Sequence, residues 1–191
     1  MPKWTDIYSL WIGQETDKNV ALAAEAFARK YDLDIHHKFS DQNPPPTGWT
    51  WMDPTKNMLA AVGPDDKLLI FAHGSTNSIG ESATALSAED FGQFLKDNGL
   101  TRAGLVSFHS CLTGREHFLF DFEFHCRRRG GMNIGWVKGY RGLTTLIDDG
   151  GASVEERIRD WGGSGVKHGK DRTRIVRGNV DIHKGGRYKT R

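Results

Sequence analysis

His73 and Cys111 are the residues of this chain whose types and surroundings suit covalent chemistry. Leu68-Leu69-Ile70-Phe71-Ala72 runs directly into His73-Gly74, and Leu105-Val106-Ser107-Phe108-His109-Ser110 runs directly into Cys111. Short, unbroken apolar runs have the form of buried parallel strands. Open α/β sheets bind ligands beyond the carboxyl ends of such strands. An imidazole and a thiol on that edge make a base and a nucleophile. Gly74 has no side chain to block a substrate backbone, and its N–H, with that of Cys111, supplies two donors for a developing oxyanion. Together these groups suffice for acyl transfer on a peptide or ester. A strand-end Cys is otherwise a small buried hydrophobe, and a lone His a satisfied polar residue. Their occurrence after equivalent strands, each beside Gly or Ser, favours the chemical reading.

The elements that must position the pair follow in order. Residues 6–13 read as a first strand and 19–31 as an Ala-rich helix with Val20, Ala23, Ala24, Phe27 and Tyr31 on one face. Extended character resumes over 33–39. A stiff loop then carries Pro44-Pro45-Pro46, Trp49 and Trp51, whose rings suit packing onto the body better than substrate contact. Strand 67–72 precedes a helix that Ser87 caps, with Asp90 three residues on and Leu86 and Phe91 placed as a hydrophobic staple; Asn98-Gly99 stops it. Strand 104–110 leads to Thr113 and Glu116, spaced as a second capping box for a helix holding Phe118, Leu119, Phe122 and Cys126 and ended by Gly130-Gly131. That helix start would place its positive dipole end near Cys111 and favour a thiolate. A strand over 133–140, a short helix over 152–161, and one or two strands over 173–189 around Gly185-Gly186 complete the chain. Strands alternating with helices predict a mainly parallel sheet covered on both faces.

Composition bounds the function. A chain of 191 residues with 37% hydrophobic content fits one domain with an extension, here 1–165 and 166–191. No apolar run reaches the roughly 20 residues of a membrane span. Met1-Pro2-Lys3-Trp4-Thr5-Asp6 lacks the build of a signal peptide, and two cysteines make no disulfide framework, so a reducing cytoplasm is expected. Residues 166–191 hold nine Lys or Arg against two Asp, a net of +7, although the chain as a whole is only +2. This basic tail suits a polyanion partner, a flexible arm or a proteolysis-prone end with Lys and Arg as cleavage sites; a solvated terminal hairpin is the plainer reading. Tyr188 is its only aromatic, which gives little stacking support for nucleic acid. A metal set from His109, Cys111, His117, His125 and Cys126 is disfavoured, because His117 and His125 are about two helical turns apart.

The two strand-end segments resemble the clan CD cysteine peptidases, whose signature is an apolar strand ending in His-Gly and a later one ending in a small residue followed by Cys. The likeness is greatest to the autoprocessing cysteine protease domain of large bacterial toxins. There too a helix start like Leu86-Ser87-Ala88-Glu89 lies between the strands, and a strand like Val137-Lys138-Gly139-Tyr140 follows the nucleophile helix. The similarity covers roughly residues 5–148. It implies a caspase-like three-layer sandwich, His73 as catalytic histidine, Cys111 as nucleophile, and Gly74 and Cys111 as oxyanion donors. His73 would protonate the leaving amine, and no third catalytic member is implied. The P1 pocket would draw on Gln14, Tyr140 and Arg141, with Arg141 either pairing an acidic side chain or standing as a loop cation. His109 departs from the Gln, Glu or Gly common two residues before the nucleophile; it is a pocket residue, a second base, or, as favoured here, a strand residue facing a helix. The toxin domains it resembles are switched on by inositol hexakisphosphate held in a basic C-terminal flap; the tail here, with Arg172, Arg174, Arg177, Lys184, Arg187 and Lys189, has matching charge, but no motif carries that site over residue by residue. No metal or other cofactor is expected.

The first expectation is therefore a cysteine endopeptidase acting on a peptide or protein, as an autoprocessing element or a toxin or effector component delivered into a host or rival cell. A thiol-dependent acyltransferase or hydrolase is a second reading. It finds no G-x-G-x-x-G or G-x-x-x-x-G-K-[ST] cofactor loop in the chain. A non-enzymatic polyanion-binding module is a third.

Overall fold

The computed structural model describes residues 4–14, 18–81, 83–148, 154–159 and 172–179. It is an α/β structure built on a seven-stranded sheet. Its strands are β1 (Ile7–Trp11), β2 (Lys38–Ser40), β3 (Thr50–Trp51), β4 (Lys67–Phe71), β7 (Arg102–His109), β8 (Asn133–Tyr140) and β11 (Thr173–Arg177). They lie in the order β11-β8-β7-β4-β1-β2-β3. All neighbouring pairs are parallel except β8 with β11. Two antiparallel hairpins stand outside the sheet: β5 (Ser78–Ile79) with β6 (Leu86–Ser87), and β9 (Leu143–Asp148) with β10 (Val154–Arg159).

Strand alternation distributes side chains to two cores. Leu68 and Ile70 of β4, Ala72 just after it, and Val106 and Phe108 of β7 pack in one core with Phe91 and Leu95 of α2 (Ala88–Asp97) and Phe118 and Phe122 of α3 (Phe118–His125). Phe108 meets Phe118 and Phe122 edge-on at 5.3 and 5.1 Å between ring centroids. Truncating such a ring to Ala costs about 3–5 kcal/mol. Leu69 and Phe71 face the other way, against Trp11, Trp49 and the Val20, Ala24 and Phe27 stripe of α1 (Lys18–Lys30). Helices thus cover both faces of a largely parallel sheet, and its central strands need apolar residues at every position. Trp49 is buried against Trp11, and its indole N–H donates to Glu25, in keeping with the packing role expected for that ring.

The Ser87 cap forms as expected: the Asp90 N–H donates to Ser87 Oγ at 3.1 Å, and the Ser87 hydroxyl donates to Asp90 Oδ2 at 2.7 Å. Gly99 ends the helix at φ +91, where a Cβ would stand 2.8 Å from that of Asn57. The second capping box does not form. Thr113 donates its hydroxyl to the Ser110 carbonyl at 3.2 Å, and α3 starts only at Phe118, after His117, whose side chain makes no cap bond. Tertiary ties to the end of β8 outcompete the local cap: Leu112 N–H donates to Gly142 O at 3.0 Å and Gly114 N–H to Tyr140 O at 2.8 Å. A Cβ on Gly114 would lie 2.4 Å from the Gly139 carbonyl, so this turn seats only glycine there.

The short helix expected over 152–161 is also corrected. Val154–Arg159 is a strand whose six residues pair with Leu143–Asp148, a ladder that outweighs the helix propensity of its Glu and Arg residues. The described part of the basic extension, β11, is an edge strand of the central sheet; Gly185-Gly186 and the residues around them lie outside the described residues. Among the described residues, no helix is long and apolar enough to cross a membrane.

Candidate active site

Register brings His73 and Cys111 to one place. Phe71 of β4 is paired with His109 of β7. Two residues beyond each partner come His73 and Cys111, just past neighbouring strand ends. The backbones meet there. A Cβ built on Gly74 would lie 2.6 Å from the Cys111 carbonyl oxygen, 2.8 Å from Ser110 Cβ and 3.0 Å from Thr113 Cγ2. Only glycine lets the two strand ends approach this closely.

Gly74 pairs with Ile79 across a short antiparallel bridge. The bonds of that bridge run from Ser75 N–H to Ser78 O at 2.9 Å and from Gly80 N–H to His73 O at 3.0 Å. Gly74 therefore sits at a non-hydrogen-bonded position, and the bridge does not consume its N–H. Ser75 Oγ stiffens the turn by accepting the Ser78 N–H at 3.0 Å. His73 is exposed and lines an open cleft of ≈ 510 Å³ with Gly74, Ser75, Ser78, Gly80, Glu81 and Ala85.

Cys111 is half-buried. Because α3 begins seven residues later, its dipole does not act on the thiol as expected from the sequence. The thiol instead receives a backbone hydrogen bond: the Thr144 N–H donates to Cys111 Sγ at 3.3 Å. Leu112, the next residue, holds φ +60. Among the described non-glycine residues at positive φ, the others are Asp32 and Asn57, polar types that tolerate it; an apolar side chain there stores strain of about 1–3 kcal/mol. Cys126 is a different thiol: it is buried, and burial, with a smaller push from Glu123, raises it to about 12.

His109 is buried and faces α1. Its ring lies 4.7 Å from that of Phe27 and stacks on Phe71 at 4.8 Å. Its Nε2 lies 3.3 Å from Ser107 Oγ and its Nδ1 3.4 Å from the Tyr140 hydroxyl. It is the strand residue facing a helix that the sequence favoured. Tyr140 is itself buried, with its phenol on His109. Arg141 and Gly142 continue from it to the nucleophile turn, the Arg141 Nε buried without an acceptor among the described residues. Gln14 is not brought to this group. It follows β1, on the far side of β4 from Cys111, and its N–H donates to Glu81 Oε1 at 3.2 Å.

Sequence reasoning missed Thr144, Asp41 and Glu81. Asp41 directly follows β2 and accepts the Gly13 N–H at 3.1 Å. The strand-end rule that picked out His73 and Cys111 would have found it. Thr144 and Glu81 sit on hairpin segments with no apolar run to announce them. Among the described residues, no group of three His, Cys, Asp or Glu side chains is placed to hold a metal ion. No protein-family model matches the chain, and no curated protein matches it.

Proposed function

We propose that the chain is a caspase-like cysteine endopeptidase with a His73–Cys111 dyad. The observation that carries the reading is the pairing of Phe71 with His109, which sets an imidazole and a thiol two residues on at adjacent strand ends, with Gly74 against the Cys111 carbonyl. The mostly parallel sheet with helices on both faces, and the strained Leu112 beside the thiol, support it.

The chemistry runs in two halves. The Cys111 thiolate adds to the scissile carbonyl carbon, and the oxyanion so formed accepts the Gly74 and Cys111 N–H groups. The tetrahedral adduct collapses with loss of the C–N bond while His73 gives its proton to the leaving amine. A thioester to Cys111 remains. Water then attacks it as His73 takes a proton, and the C–S bond breaks to release the acid product and the Cys111 thiolate, which restores the starting pair. Tyr140 and Arg141 flank the acyl side.

The basic extension supports a regulatory anion site. Arg174 on β11 is held below the ordinary arginine range by burial and by the neighbouring Arg141 charge. A polyanion seated between them, inositol hexakisphosphate in the resembled family, would relieve that repulsion beside the nucleophile turn. Cleavage of a peptide library by the protein, with and without the polyanion, tests the proposal. Cys111→Ala is expected to reduce turnover to background, and His73→Ala to lower it about 10²–10⁴-fold. Undiminished cleavage by either variant would refute it.

A further inference from the structure

The His73 cleft opens into a longer trench that starts at the C-terminal edge of the sheet and then descends beside α2. It shares Gly80 and Glu81 with a cleft of ≈ 240 Å³ over Gly13 and Gln14. That cleft in turn shares Asp41, Leu86 and Phe94 with one of ≈ 540 Å³ against α2. The far part has an apolar floor of Trp51, Met52, Pro54, Leu86 and Phe94. Glu81, Asp41, Asp90 and Asp97 line its length, and no Lys or Arg stands among the described lining residues. Asn98 closes the far end: it is 2% exposed, and its Nδ2 donates to the Phe94 carbonyl. The rim thus offers negative charge over an apolar floor to something that brings cations and an apolar side chain.

The direction of the trench says which half of a substrate it meets. From β7, which carries the nucleophile, the sheet passes to β4 with His73, then to β1 before Gln14, then to β2 before Asp41. A leaving amine protonated by His73 continues away from Cys111, into the trench. Two strand spacings make about 10 Å, the length of about three extended residues.

We infer that the trench seats the substrate segment C-terminal to the scissile bond and selects Lys and Arg, with an apolar residue among them, in that segment. The inference rests on the peptidase reading above. It gives the leaving side a determinant separate from Tyr140 and Arg141, the residues proposed to flank the acyl side. Asp41 is central to it, since the residue lines both outer clefts.

The test is a peptide series with one randomised acyl half and three leaving halves, Gly-Lys-Leu-Arg, Gly-Ser-Leu-Ser and Gly-Glu-Leu-Glu. Cleavage is followed on the wild-type protein and binding on Cys111→Ala. The basic series is expected to be cleaved and bound at least about tenfold better than the acidic one. Each of Asp41→Asn and Asp97→Asn should shrink that ratio about two- to fivefold, as for exposed ion pairs, and added salt should shrink it further. Both variants keep an oxygen for the present donors, Gly13 N–H and Gln93 Nε2. Cleavage with equal use of the three series would overturn the trench assignment alone. Preferential binding of basic peptides with no cleavage of any would overturn the peptidase reading and the leaving-side assignment with it.

Discussion

Gly74 stands so close to Cys111 that a Cβ on it would meet the cysteine carbonyl oxygen at 2.6 Å. The contact is backbone against backbone, so it cannot be relieved by rotating a side chain. Gly74→Ala is therefore expected to push the two strand ends apart. Overpacking of this kind costs about 1–3 kcal/mol, measurable by urea denaturation. The displaced N–H should also lower kcat/KM about 10²-fold or more, as loss of one oxyanion donor does. Full activity in Gly74→Ala would remove Gly74 from the oxyanion site.

The two cysteines should differ sharply toward electrophiles. Cys126 is buried, with its thiol pushed up to about 12, whereas Cys111 is half-buried and receives the Thr144 N–H. Iodoacetamide at pH 7.5, followed by peptide mass mapping of the folded protein, should modify Cys111 and leave Cys126 intact. Modification of Cys126 first would contradict the buried placement of that side chain.

His109 is structural. Its ring is enclosed by Phe27, Phe71 and Tyr140, and its nitrogens face Ser107 and the Tyr140 hydroxyl. Tyr140→Phe removes one such bond and should cost about 0.5–1.5 kcal/mol of stability. His109→Gln should change kcat/KM less than tenfold, while His73→Ala loses far more. A loss in His109→Gln equal to that in His73→Ala would make His109 the working base.

Asp41 gives the protein a pH-dependent carboxylate. Burial pushes its carboxyl up to about 6, against the lowering effect of the Gly13 N–H and with a smaller push from Glu81, although the residue keeps an exposed edge. The folded state then holds this proton more tightly than the unfolded chain. Asp41 thus favours the fold at low pH, and that contribution is lost as pH rises from about 4 toward about 6. Comparing wild type with Asp41→Asn by denaturation across this range should show the wild type losing stability relative to the variant as pH rises. The opposite slope would contradict a raised carboxyl.

Much of this was legible in the chain because burial writes itself into composition. The runs ending at Phe71 and Phe108 are mostly apolar since both faces of their strands are covered, with Ser107 the polar exception. Ser87 and Asp90 announced α2 because a cap is a local interaction. Thr113 and Glu116 carried the same signal and misled, since the ties of Leu112 and Gly114 to β8 connect residues about thirty apart. The β9–β10 hairpin was hidden for a related reason: its register depends on pairing rather than on either strand's own pattern. The site followed the same division. His73, Gly74 and Cys111 end readable strands, whereas Thr144 and Glu81 reach the edge through hairpins.

The central claim is that Cys111 is a nucleophile served by His73. It is tested most directly by treating the folded protein with a library of peptidyl acyloxymethyl ketones, then measuring intact mass and mapping the adduct. The expected result is a single adduct on Cys111, formed rapidly by the wild type, slowed in His73→Ala and absent in Cys111→Ala. No peptide-dependent adduct, or one that forms equally fast without the His73 imidazole, would contradict it.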